Sequence, residues 1–346
     1  MCGAAGSVRD IYRSQRDLNL RLTIVDLRFK TLRLRLSTRR RFLTQCCGTI
    51  GAAYFLSPPL LADSKSKPGL HFPSQARERI AIASYPFREF IAGEDHKSGN
   101  PTIELKDFAA HVMKKFDINK IEPWTGHFPS TDAKYLDEFR VAVEKAHGAV
   151  VNVAVDGEHS PYAADRAERE RAIAFSKRWV DAASAIGSPC IRTNIPPAKD
   201  SKPDVERTAD SLARVAEYAS TKNVVVNLEN DNPVSEEPFF LVKVIEKVNS
   251  PWLHALPDFA NTLARYDEKH AYDGISAMFA HAYCISHVKD AEGDEHGKLV
   301  HVDMAKTFGF MKQRGYKGYC SMEWDRPGDP YKGTASLIET TLQYLS

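Results

Sequence analysis

Four side chains of the types that hold metal ions stand at the ends of four consecutive β-rich runs. Residues 224–229 end in Glu229, 254–258 in Asp258, 283–287 in His287 and 318–323 in Glu323. The separations are 29, 29 and 36 residues, one strand–helix unit each. Three carboxylates and one imidazole make a hard, oxygen-rich donor set suited to Mn²⁺, Mg²⁺, Co²⁺ or Zn²⁺. Taken singly, each residue is ordinary: a glutamate at a strand end is commonly solvated or salt-bridged, and a lone histidine is commonly a satisfied core residue. Their joint placement on successive strand ends is what points to one divalent ion.

That placement requires a scaffold in which strand ends converge. From residue 80 onward, short β-rich runs (80–84, 120–123, 150–155, 190–194, 224–229, 254–258, 283–288, 318–324) alternate with segments of helical periodicity. The helical segments are 104–116, 133–147, 164–186, 205–220, 238–248, 266–282, 304–314 and 336–344. In 205–220, for example, Leu212, Val215, Ala216 and Ala219 recur at helical spacing. Gly148, Gly187 and Gly315 follow helical stretches, as C-terminal caps do. Strict alternation implies a parallel sheet, and eight units in this length match an α/β fold of the (β/α)8, or TIM, barrel type. A doubly wound open sheet is the rival, but no glycine-rich phosphate loop follows the first strand. In a barrel the C-terminal strand ends form the active site, where the four candidates fall.

Composition bounds the rest. The chain has 346 residues, 43% hydrophobic and 27% charged, within the globular range. Its net charge of +2 averages two unlike pieces. Residues 1–62 hold ten Arg, one Lys and three Asp, a net +8, and the remainder carries −6. An acidic body offers no broad phosphate-neutralising surface, so no nucleic-acid partner is expected.

The basic piece reads as a leader. Ser37-Thr38-Arg39-Arg40-Arg41-Phe42-Leu43 precedes an apolar stretch over 44–61 and a small residue, Ala62. This is the order of a signal peptide, and the paired arginines before Phe42-Leu43 resemble a twin-arginine (Tat) signal. The sequence therefore divides into a leader over 1–62, a linker over 63–79 and a catalytic domain over 80–346. The expectation is export to the periplasm or the outside, with no stable membrane anchor after cleavage. A start of translation downstream of the leader would instead leave the protein cytoplasmic. Cys190, Cys284 and Cys320 fall in apolar runs without a CxxC spacing and read as buried core residues rather than a disulfide framework.

Residues 80–346 resemble the xylose isomerase-like TIM barrels, the sugar phosphate isomerase/epimerase group. The resemblance rests on Val226-Asn227-Leu228-Glu229-Asn230, Pro257-Asp258-Phe259-Ala260-Asn261, His287-Val288-Lys289-Asp290, and the segment Gly315-Tyr316-Lys317-Gly318 that leads to Glu323. It implies one divalent metal held by Glu229, Asp258, His287 and Glu323, with Glu229 and Glu323 doubling as base and acid. The ion polarises a ketose carbonyl. One glutamate removes the adjacent proton to give an enediolate and the other returns a proton to the opposite face. A hydride shift, as in xylose isomerase itself, is the alternative. The chain departs from the ketose 3-epimerases at two positions. Asn261 stands where they carry a histidine, and Gly293 where they carry a substrate-binding arginine.

Around this centre, Glu122 and Trp124 after the second strand are expected to meet a sugar hydroxyl and the face of its ring, with a rim salt bridge the alternative for Glu122. Arg192 and Asn194, at the end of the fourth run, would hold a hydroxyl or a phosphate. Lys289 lies one alternation beyond His287 and would face the pocket, to steady an enediolate oxygen or simply to pair with Asp290 or Glu292, and Asn261 is expected at the substrate. Trp324 and Asp325 are further candidates for the pocket wall, with a packing role the equal alternative for Trp324. His254 begins its strand and belongs to the opposite end, whereas His127 and His159 read as solvated loop residues.

The reading is thus a metal-dependent sugar or polyol isomerase or epimerase acting on a small carbohydrate, with a homo-oligomer compatible. A dehydratase or lyase on a keto-sugar would use the same site, and a non-catalytic sugar-binding barrel is a further alternative. Asp294-x-His296 resembles the late Asp-x-His pair of the endonuclease IV-like barrels, which bind three zinc ions and share the fold.

Overall fold

The computed structural model describes residues 67–93, 96, 99 and 101–346. The leader expected over 1–62 lies outside the described residues. Eleven strands are present among them: β1 Ile80–Ala83, β2 Lys120–Glu122, β3 Ala149–Val150, β4 Val153–Val155, β5 Cys190–Thr193, β6 Val225–Glu229, β7 Leu253–Leu256, β8 Ile285–Val288, β9 Ala291–Gly293, β10 Leu299–His301 and β11 Tyr319–Met322. Nine helices separate or follow them: α1 Phe108–Phe116, α2 Ala133–Lys145, α3 Arg166–Ala185, α4 Val205–Thr221, α5 Asn232–Ser235, α6 Pro238–Val248, α7 Glu268–Phe279, α8 Met304–Gln313 and α9 Pro330–Leu345.

The strands form two parallel arcs, β3-β2-β1-β11-β8 and β4-β5-β6-β7. Parallel bridges join the arcs at both seams, Trp124 to Ala154 and Asp258 to His287. The eight expected units therefore close into a (β/α)8 barrel. The run expected over 150–155 is split into β3 and β4, which pair with β2 and β5 respectively. The helix expected from 336 starts six residues earlier, at Pro330, where Asp329 accepts a hydrogen bond from the Tyr331 N–H. Aspartates 165, 204, 267 and 303 cap α3, α4, α7 and α8 in the same way, satisfying amide donors that a helix start leaves free.

The barrel packs as expected of a parallel sheet covered by helices. Every residue of β1 and β8 is buried. Cys190, Cys284 and Cys320 are buried free thiols. Gly187 and Gly315 take positive φ after α3 and α8, as their cap positions require. Gly148 does not: His147 adopts the left-handed turn after α2. A Cβ on Gly148 would sit 3.3 Å from both Ala109 Cβ and the Asn119 carbonyl, so close approach of α1, not a cap, calls for glycine there.

The described part of the expected linker lies against the N-terminal end of the barrel. The Tyr283 hydroxyl donates to the Pro68 carbonyl, and Phe72 packs edge-on against Tyr283 and Tyr319. His254 is at this end, stacked on Tyr283. Among the described residues no helix is long and apolar enough to cross a membrane.

Candidate metal centre

At the C-terminal ends of β6, β7, β8 and β11, Glu229, Asp258, His287 and Glu323 are all buried, and one ligand atom from each lies within 4.8 Å of all the others. The reason is local. Glu229 is the last residue of β6, and His287 and Glu323 follow the inward alternation of β8 and β11, whose register pairs Ser321 with His287. The 36-residue step between the last two candidates, against 29 for the others, is accounted for by the antiparallel β9–β10 hairpin inserted after β8.

Asp258 sits just past β7 and is held by its loop. Its Oδ1 accepts from the Ala260 and Asn261 amides at 2.8 and 2.7 Å, and its own amide donates to Asn230 Oδ1. The second oxygen, Oδ2, is fully buried and has no hydrogen-bond donor. Burial pushes this carboxyl up to about 7, against the opposing charge of Lys289. An orphaned carboxylate oxygen among three other ligand-type groups is the arrangement that a bound cation relieves.

His287 is the hub. Nδ1 lies 2.6 Å from Glu229 Oε1 and 3.1 Å from Glu323 Oε2, while Nε2 faces both oxygens of Glu122 at 2.9 and 3.0 Å. Burial would lower its pKa, but Glu122, Glu229 and Glu323 raise it well above the ordinary value. The three carboxylates thus favour the protonated, cationic imidazole when no ion is bound. Each glutamate also has its own cation. Arg192 Nε is 2.6 Å from Glu229 Oε2, and Lys289 Nζ is 3.4 Å from Glu323 Oε2. The two glutamates differ: burial dominates at Glu229 and raises its pKa, whereas at Glu323 burial is outweighed by His287 and Lys289 and the pKa falls.

Above the cluster opens a cleft of about 500 Å³, onto which Trp124, Arg192, Glu229, Asn261, Lys289 and Glu323 face. Trp124 is fixed by a 2.7 Å bond from Nε1 to Asp156 Oδ2 and by an edge contact with Tyr85. Its ring lies so close to Gly126 that a Cβ there would fall 2.3 Å from the indole. Asn261 Oδ1 accepts from Lys289 Nζ at 2.9 Å.

Several expectations need correction. Glu122 is not on the cleft wall: it is fully buried beneath the cluster, bound to His287 and to Asn152 Nδ2, because β2 ends there with its last side chain directed into the barrel. Arg192 lines the cleft, but its guanidinium is engaged by carboxylates of the chain. It ion-pairs with Glu229 and Asp156 and stands 3.9 Å from Asp231. His127 is buried and hydrogen-bonded to Ser84 Oγ, and His159 pairs with Glu168 rather than standing solvated. Trp324 packs against Gly333 of α9 and only Asp325 reaches the cleft. Asp294 accepts from the His296 and Lys298 amides in the turn of the β9–β10 hairpin, leaving His296 exposed, so this pair builds a turn rather than a second metal site.

Asp156 and Asn152 escape the sequence reading. Asp156 directly follows the last residue of β4, a position the strand-end rule covers. Asn152 lies in the break between β3 and β4, which carries no sequence signal. Glu292, one of the two partners expected for Lys289, bonds it at 3.1 Å.

The fold has solved counterparts. A xylose isomerase-like TIM barrel protein from Mycobacterium smegmatis, solved with magnesium, is 15% identical with a TM-score of 0.58, and the match covers 79% of this chain and 99% of that one. D-allulose 3-epimerase from Methylomonas sp. is 13% identical with a TM-score of 0.60, covering 80% and 100%. A 3-keto-D-glucoside 4-epimerase from E. coli is 14% identical with a TM-score of 0.53, covering 76% and 98%. No curated protein matches the chain. The family model described as "Xylose isomerase-like TIM barrel" matches residues 111–345, and the chain belongs to that family.

Proposed function

We propose that the protein is a divalent-metal-dependent isomerase or epimerase of an uncharged sugar or sugar derivative. The observation that carries this is the convergence of Glu229, Asp258, His287 and Glu323 on one buried point at the floor of an open cleft, with Glu229 and Glu323 at 2.6 and 3.1 Å from His287 Nδ1. Relatives of the same fold include D-allulose 3-epimerase and a 3-keto-D-glucoside 4-epimerase. When bound, a divalent ion supplies positive charge that polarises a carbonyl oxygen and acidifies the neighbouring C–H.

The chain's own residues do the rest. Glu229 takes the proton from one face of the substrate carbon, with Arg192 holding its Oε2. Glu323 delivers a proton from the other face, with Lys289 beside it. Lys289, already 2.9 Å from Asn261, is placed to steady the developing enediolate oxygen. Trp124 offers a flat apolar face to a sugar ring.

The charge of the cleft selects the substrate. Seven carboxylates line it (Asp156, Glu229, Asp231, Glu236, Glu292, Glu323 and Asp325) against three cations, Arg192, Arg265 and Lys289. Each cation is already paired with a carboxylate. A phosphorylated sugar would meet net repulsion here, and a neutral one would not.

The test is turnover of free ketoses and keto-glycosides by the Mn²⁺-loaded protein in D2O. The expected product has one C–H replaced by deuterium and no other change in mass, and Glu229→Gln and Glu323→Gln each abolish exchange. Loss of water or of a glycosyl group would reassign the site to a lyase, and binding without exchange to a sugar-binding barrel. The leader carries a second proposal, export of the folded barrel by the twin-arginine route. Replacing Arg39 and Arg40 by lysine should trap the protein in the cytoplasm on cell fractionation.

A further inference from the structure

Glu122 stands outside the chemistry described so far. It ends β2, is fully buried and does not line the cleft. A buried carboxylate is costly unless paired and hydrogen-bonded. Here both its oxygens face His287 Nε2, at 2.9 and 3.0 Å, and Oε1 also accepts from Asn152 Nδ2 at 2.6 Å. Asn152 is itself fully buried, in the break between β3 and β4. A polar pair is therefore assembled from two elements on the far side of the barrel lumen from β8, and it bonds the outer nitrogen of the candidate metal-binding histidine.

The consequence follows from donor arithmetic. Both ring nitrogens face carboxylates, which only accept when ionised, but a divalent ion would engage the oxygens of Glu229 and Glu323 and leave Glu122 as the acceptor, so the ring proton belongs on Nε2. A neutral imidazole has one N–H. With that proton on Nε2, the lone pair belongs to Nδ1, the atom turned toward Glu229 Oε1 and Glu323 Oε2. We infer that Glu122, oriented by Asn152, is the positioning residue that sets His287 in its Nε2–H tautomer and so presents Nδ1 as the ligand atom. It also places a fourth buried negative charge beneath the ion. Such outer partners of a ligating histidine fix ring orientation and strengthen it as a donor. The inference rests on the reading that the site holds a divalent ion.

The experiment uses the full-length protein stripped with chelator. With ¹¹³Cd²⁺ and ¹⁵N-labelled histidine, the expected spectrum shows cadmium coupled to Nδ1 of His287 and a proton on Nε2. Mn²⁺ titration of Glu122→Gln should give binding weaker by about 10–100-fold than wild type, and Asn152→Ala a smaller loss in the same direction. Coupling of cadmium to Nε2, or a folded Glu122→Gln protein that binds Mn²⁺ as tightly as wild type, overturns the inference while leaving the metal site standing. Should Glu122→Gln fail to fold, the nitrogen assignment in the wild type decides. Failure of the wild type to bind either ion overturns the inference together with the metal reading beneath it.

Discussion

Arg192 Nε lies 2.6 Å from Glu229 Oε2, so the carboxylate of Glu229 is divided between a guanidinium on one oxygen and His287 Nδ1 on the other. Arg192 is 5% exposed and also pairs with Asp156. Removing one member of a buried ion pair strands the others. Arg192→Met should therefore lower unfolding stability by about 3 kcal/mol, read as a lower urea midpoint at unchanged slope. Arg192→Lys should recover much of that stability, because one charge returns. Its turnover should stay low, because an ammonium cannot hold Glu229 and Asp156 in a fixed fork.

The apo-protein's stability should depend on pH through Asp258. Its carboxyl keeps its proton in the folded state up to about pH 7, against an ordinary value of 3.8. Between those values the unfolded chain has already released the proton that the folded chain still holds. Apo stability therefore falls as pH rises from about 4 to about 7 and is level above. A divalent ion compensates the same buried charge. The rise in melting temperature on adding Mn²⁺ or Mg²⁺ should grow across this window and flatten beyond it. Asp258→Asn should remove both the trend and most of the metal-induced rise.

His127 gives a pH dependence of opposite sign. Trp124 N–H donates to Ser84 Oγ, which is also hydrogen-bonded to His127 Nδ1. Burial, helped by the charge of Arg88, pushes this histidine down to about 3. Below pH 6.5 the unfolded chain takes up a proton that the folded one refuses, so stability falls as pH drops from 6.5 toward 3. The loss at pH 5 should be about 2 kcal/mol. In His127→Gln, whose amide can still hydrogen-bond Ser84, the component between about pH 6.5 and 5 should disappear from a series of denaturant titrations.

Gly333 on α9 controls Trp324, the residue next to Glu323. A Cβ on Gly333 would fall 2.2 Å from Trp324 Nε1, and a rigid indole has no small adjustment to make. Gly333→Ala should cost about 1–3 kcal/mol in stability. It should also lower turnover by displacing the end of β11, although residue 333 touches no substrate. Gly309, where a Cβ would meet nothing within 4 Å, is the control: Gly309→Ala should leave both quantities unchanged or raise stability slightly.

Much of the site is legible in the sequence. Strand side chains alternate and barrel strands end at one mouth, so the positions of Glu229, Asp258, His287 and Glu323 at run ends, and their spacing along the chain, suffice to place them together. The eight-unit alternation, the cap glycines at 187 and 315 and the buried cysteines are local properties, and local sequence determines them. The roles of Glu122, Arg192 and His127 are not local. Whether a strand-end carboxylate reaches the cleft or turns beneath the floor depends on how far the barrel closes, and on what faces it from strands distant in the chain. Glu122 and His287 are 165 residues apart in sequence and 2.9 Å apart in space. Arg192 is readable as a cation near the site, but the carboxylates that claim it come from other strand ends. Sequence periodicity sets which face of a strand a side chain occupies. Only the closed barrel decides which charges end up paired across the lumen, because burial and Coulomb energy depend on distance in space and not along the chain.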